Sequence, residues 1–210
     1  MLINRIDHNN TYILKYSRKF MINREGGAAP TRREVEFKIS NVGDYVKMDY
    51  LQQCLSKSLD FDTRKYVLNK LSEIYEARKM FLEAGKLMAA SAEINATFDG
   101  KIAAYMKSTD LLIKAGDFDF ADISFSKATA SATDLQKKVL KEKKKEMLKI
   151  QAEVYMKKDK RANAMKTYER LIEMHELSLE EKKIVQTKLL DLYNKLGKVR
   201  ELLNLQKSMN

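Results

Sequence analysis

The chain has 210 residues, a net charge of +11, one cysteine, one proline, seven glycines and no tryptophan. One cysteine excludes an internal disulfide framework, and so few breakers among so many Lys, Leu, Ala, Met and Glu residues favour a mostly helical protein. The opening residues lack the apolar core of a signal peptide. No run reaches the ~18 apolar residues of a membrane span, so a cytoplasmic location is expected.

The charge is unevenly spread. Residues 1–38 hold eight Lys/Arg against four Asp/Glu, and residues 137–166 hold twelve against four. A localised excess of this kind suits an anionic partner better than a diffuse one.

In chain order, Tyr12, Ile13, Tyr16 and Phe20 lie on one side of an amphipathic helix over 7–24. "EGGAAPTRRE" breaks it with Gly26, Gly27 and Pro30, giving an exposed loop or arm in which proteolysis is expected first, around Gly26 to Arg33. Val35, Phe37 and Ile39 alternate, as in a short strand or an extended link. A helix returns from Asp44 to about Leu59 and carries Tyr45, Met48, Leu51 and Leu55, a capping element for a helical array. The expected division is an arm over 1–40 and a helical domain over 41–210.

From residue 65 a pattern repeats. Ala121 and Phe125 of "FADISFSKATA" match Ala84 and Met88 upstream and Ala164 and Tyr168 downstream. The small residue recurs at Ala84, Ala121 and Ala164, with Leu202 at the fourth place, at spacings of 37, 43 and 38. A period near forty with two apolar stripes per unit predicts repeated helix pairs, each burying its open face on a neighbour. In "KAGDFDF", Gly116 suits the end of a first helix and Asp117 or Asp119 the start of a second. "KKDKRAN" and "KLGKVRE" hold the same place in the next two units.

Over roughly residues 65–207 the chain resembles the tetratricopeptide superfamily. That family puts a tyrosine at its eleventh position, here Tyr75, Leu112, Tyr155 and Tyr193. It puts a small residue at its twentieth, here Ala84, Ala121, Ala164 and Leu202. Its aromatic twenty-fourth position is Met88, Phe125, Tyr168 and Gln206. The closing proline is absent from every unit, and the longer periods look more like the soluble attachment proteins of vesicle fusion. The resemblance implies an all-α superhelix of stacked antiparallel helix pairs behind a basic N-terminal arm. It also implies a ligand face at Asn69, Glu73 and Glu76, then Met106, Asp110 and Ile113, then Lys149, Glu153 and Met156, then Thr187, Asp191 and Asn194. Five of these are acidic and one is basic, which suits a basic or mixed apolar-basic segment.

Little in the sequence suggests chemistry. His8 and His175 have no ligand-type neighbours. Asp117, Asp119 and Asp122 lack the glycine and glutamate of a calcium loop. "EGGA" is not followed by Gly-Lys-Ser/Thr, and no serine sits in a Gly-x-Ser-x-Gly setting. Cys54 reads as a packed small hydrophobe. No enzyme, cofactor, metal or small-molecule substrate is expected.

The lysine stretch "LQKKVLKEKKKEMLK" holds Lys137, Lys138, Lys141, Lys143, Lys144, Lys145 and Lys149. Lys138, Lys141, Lys145 and Lys149 would share one helix face. With Arg32 and Arg33 these form a candidate anion-binding set, against a plain solvated helix. Without aromatics, contact would be with a phosphate backbone or an acidic surface. The expected function is a scaffold or adaptor binding another protein. The alternative is a factor docked on a ribosome or structured RNA, and peripheral membrane contact stands third.

Overall fold

The computed structural model describes residues 29–209. Ten α-helices and no strand occur among them, and within each of the two units described next consecutive helices pack on one another. The described residues fall into two compact units that meet between Ala96 and Thr97 along the chain. The amphipathic segment 7–24 lies outside the described residues.

The first unit begins with α1 (Arg32–Ser40), α2 (Asp44–Leu55), α3 (Phe61–Ala77) and α4 (Phe81–Glu93). Residues 35–39 are therefore helical, not a strand or an extended link. Thr31 starts α1 with a capping box: its side chain accepts from the Glu34 amide, and the Glu34 carboxylate accepts from the Thr31 amide at 2.7 Å. Two orphan donors are satisfied at once. Val35 and Ile39, four apart, turn into the core, while Phe37 points out. Arg32 and Arg33 sit in this helix rather than in a loop. Helix α2 ends at Leu55, one turn before the expected Leu59. Its Leu51, Cys54 and Leu55 are buried against the rest of the unit, and Cys54 packs as a small hydrophobe.

The second unit contains α5 (Phe98–Ala115), α6 (Phe118–Ala130), α7 (Asp134–Lys157), α8 (Arg161–Ile172), α9 (Leu179–Lys195) and α10 (Val199–Met209). The pairs α5/α6, α7/α8 and α9/α10 pack internally, and α7 also packs on α5, as α9 does on α8. Leu111, Leu112, Leu148, Leu171, Leu189 and Leu192 form the centre of this core.

One turn recurs in both units. In α3/α4, α5/α6, α7/α8 and α9/α10 a single residue adopts a left-handed backbone: Lys79, Gly116, Asp159 and Gly197, with φ of 61°, 79°, 53° and 67°. The next amide then reaches back five residues, from Met80 to the Tyr75 carbonyl, Asp117 to Leu112, Lys160 to Tyr155 and Lys198 to Tyr193. This is the Schellman ending of a helix. Its four accepting residues are the four placed at the same position of the sequence repeat, spaced 37, 43 and 38 apart.

The small residues also lie where the repeat requires. Ala84, Ala121 and Ala164 are buried at 0%, 1% and 0% exposure. Beside the first, the Ser72 hydroxyl donates to the Ala84 carbonyl at 2.9 Å. In the next pair Ser108 and Ser124 bond across α5 and α6 at 3.1 Å. The recurring tyrosines tie helices to their predecessors. Gln52 of α2 donates to the Tyr75 hydroxyl, Tyr155 donates to the Lys114 carbonyl of α5, and Tyr193 donates to Glu169 of α8. Leu112, at the same position, has no hydroxyl with which to do this.

Candidate functional site

Helix α7 carries the lysine stretch, and its Thr133 start has a capping box with Gln136. It is 24 residues long, against 17, 18 and 17 for α3, α5 and α9. The extra length of the repeat is thus added within one helix, by about two turns.

The lysines do not form an open cationic stripe. Lys137 pairs with Asp134 at 2.9 Å, Lys141 with Glu176 at 2.9 Å and Lys144 with Asp122 at 2.6 Å. Lys145 reaches both Glu142 and Glu181, and Lys149 binds Glu181. Three members of the expected face, Lys141, Lys145 and Lys149, are thereby turned toward the segment leading into α9. Lys138 and Lys143 have no acidic partner among the described residues, and both are exposed. Arg32 is held by Glu36 and Asp62, whereas Arg33 is exposed without an ion pair among the described residues.

Glu181 is the hub of the α7–α9 contact. The bond from Lys149, then the Ser178 amide, hold its carboxyl at about 2. A folded-state value below the ordinary 4.5 means that the unfolded chain takes up the proton first as pH falls. The charge therefore stabilises the fold fully above that ordinary value, and the contribution is lost as pH falls through the folded value. Glutamine preserves the cap to Ser178 but not the charge. Glu181→Gln should therefore lower stability near neutral pH and become indistinguishable from the native chain as pH approaches about 2. Denaturant titrations at both ends of that range provide the check.

A second cluster joins α6, α7 and α8. Arg170 bonds Asp119 at 2.6 Å and Asp122 at 3.5 Å, and Lys144 lies 4.6 Å from the centre of the Phe125 ring. Beneath it is a cleft of about 150 Å³ with Ile113, Phe118 and Leu148 among its apolar walls. Of the three aspartates in "DFDFAD", Asp117 caps α6 by accepting from Phe120, while Asp119 and Asp122 are ion-pair partners. Arg170, Glu176 and Glu181 gave no sequence signal, because their partners are 31 to 51 positions away.

The ligand-face positions implied by the family resemblance scatter. Met106 and Ile113 are buried, and Asn69 accepts from Ser91 at 2.7 Å. Glu73 pairs with Lys70, Asp110 with Lys114, Glu153 with Lys188 and Asp191 with Lys195. Glu153 also accepts from the Tyr168 hydroxyl at 2.6 Å. Thr187 donates to the Lys183 carbonyl, and Asn194 is exposed on the last turn of α9. Met156 is half-buried and Glu76 has a partner. Four of the five acids thus have a lysine at hand, which removes most of the negative field expected of this face.

A different set of residues does recur on the surface. Each first helix starts at a side-chain cap, Asp60, Thr97, Thr133 or Ser178. Within two residues of the cap stands a large apolar side chain: Phe61, Phe98, Leu135 and Leu179, exposed at 78%, 71%, 76% and 81%. The sequence signal for this set is a capping polar residue with a bulky apolar one at the next place, or at the one after it in the case of Thr133 and Leu135.

Among the described residues, no helix is long and apolar enough to cross a membrane, and no group of three or more His, Cys, Asp or Glu residues is placed to hold a metal. The described residues are all-helical, with adjacent helices packed together within each unit. Compared with known families it matches no family model, and no curated protein matches it.

Proposed function

We propose that the chain is a non-enzymatic, tetratricopeptide-like adaptor, built of antiparallel helix hairpins, that binds another protein. The carrying observation is a large, mostly exposed apolar side chain in the first turn of four first helices: Phe61, Phe98 and Leu179 directly after the cap, and Leu135 one residue further on. Single exposed apolar residues are ordinary on protein surfaces. The same residue class left uncovered in the first turn of four successive first helices is a pattern. Covering one such side chain gains about 1.5–3 kcal/mol. The shared turn at Tyr75, Leu112, Tyr155 and Tyr193 supports the repeat reading.

The RNA-associated alternative is favoured by the net charge of +11. Against it, five of the seven lysines in the α7 stretch already have acidic partners. The experiment is affinity purification of the full chain, with and without nuclease, beside a variant with Phe61, Phe98, Leu135 and Leu179 all changed to Ser. Nuclease-resistant partners that the variant loses are the expected result. Partners that vanish on nuclease treatment, ribosomal proteins above all, would replace the adaptor reading with the RNA-associated one.

A further inference from the structure

We infer that the first turns of α7 form a docking face for an acidic segment of a partner protein that inserts apolar side chains between Leu135 and Val139. This inference rests on the adaptor reading and gives it a place and a partner chemistry.

Three observations define the face. First, α7 begins level with α5, because Gln136 donates to Asp99 at 3.3 Å. Yet α9 begins level with Lys145 and Lys149, which bind Glu181 in its first turn. On the α9 side, among the described residues, it is the loop before α9 that reaches further up α7, through Glu176 to Lys141. The start of α7 therefore extends past the helix that flanks its later turns.

Second, this stretch presents apolar surface. Leu135 and Val139 are four residues apart, on one side of the helix, and are 76% and 50% exposed. Phe98, next to the bonded Asp99, adds a third exposed apolar group at the same end.

Third, the charges beside this surface are unused. Lys138 lies between Leu135 and Val139 along the chain, and Lys143 one turn beyond Val139. Neither has an acidic partner among the described residues. Unpaired cations beside an apolar pair are complementary to carboxylates flanking apolar side chains.

The charge argues against other occupants. The chain's own residues 1–28 hold five Lys/Arg against two Asp/Glu, and a second copy brings another +11. Both would be repelled by Lys138 and Lys143. A nucleic acid would find the two cations, but Leu135 and Val139 offer nothing to a phosphate, and Phe98 is a single ring at this end, short of a row of stacking aromatics.

The test is selection of a displayed random-peptide library on the full chain, followed by binding of the enriched peptides at low and high salt. The expected peptides place Leu, Ile or Phe among Asp and Glu. The double variant Leu135→Glu/Val139→Glu should weaken them by about tenfold or more. Lys138→Glu/Lys143→Glu should weaken them too, and remove most of the salt dependence. All four positions are exposed or rimmed by solvent, so unchanged thermal melting accompanies both variants, and either variant alone can decide the matter.

Enrichment of basic peptides, or of none, overturns the proposal. So does equal binding by the native chain and both variants. A random RNA pool retained through Lys138 and Lys143 in preference to any peptide also overturns it. If Leu135→Glu/Val139→Glu leaves nuclease-resistant partners bound in the purification, this face falls while the adaptor reading stands.

Discussion

Ala164→Leu should destabilise the protein by about 1–3 kcal/mol, and by more than the same change at Ala121. Both alanines are buried at the recurring small position of a second helix. In the α7/α8 pair, the Ala164 side chain faces a filled interior, with Leu148, Ala152, Tyr168 and Leu171 all buried in the same pair. Three added carbons there must displace α8 from α7 or force neighbouring side chains off their rotamers. Ala121 differs because it borders the cleft of about 150 Å³ with Phe118 and Leu148. Part of a leucine side chain can enter that space. Denaturant unfolding of the two variants measures the contrast. A neutral Ala164→Leu, or a larger loss at Ala121, would show that the small position does not set the distance between paired helices.

The repeat was legible because it is carried by local chemistry. Gly116 and Gly197 announce left-handed exits, Asp117 announces a cap, and the small residues announce close helix contact. Each of these signals lies within a few residues of the feature it specifies. The turns at Lys79 and Asp159 show the limit. They adopt the same left-handed geometry as the glycines, but only the spacing of the repeat, not the residue type, points to them.

The lysine stretch was harder to read for the opposite reason. Its helix was predictable from composition, and its length from the longer second spacing. What the lysines do depends on Asp122, Glu176 and Glu181, which approach through the fold and leave no periodic trace in the sequence. Seven lysines in one stretch suggested a cationic surface, and most of them serve to hold α6, α7 and α9 together. The same holds for the acids of the family-like ligand face. Lys114 and Lys195 lie one helical turn from Asp110 and Asp191 and were visible in principle; Lys188, 35 residues from Glu153, was not.

Val35→Asp should cost about 3–5 kcal/mol, the range for an uncompensated charge left in a protein interior, whereas Phe37→Asp should fall within about 0.5 kcal/mol of the native chain. The contrast tests how residues 32–40 are folded. Val35, Phe37 and Ile39 alternate with polar residues, and a strand would put all three on one face. A strand burying that face would make both substitutions severe. A helix separates them: Val35 and Ile39 share a face, and Phe37, about 200° around from Val35, does not. The structure has Val35 fully buried where α1 meets α2 and α3, and Phe37 83% exposed. The distinguishing signal was the "TRRE" of Thr31 to Glu34, a capping box that starts a helix and has no role in a strand. Unfolding midpoints and helical circular dichroism of the two variants supply the measurement. Equal, large losses at both positions would restore the extended segment, and equal, negligible losses would detach α1 from the core of the first unit.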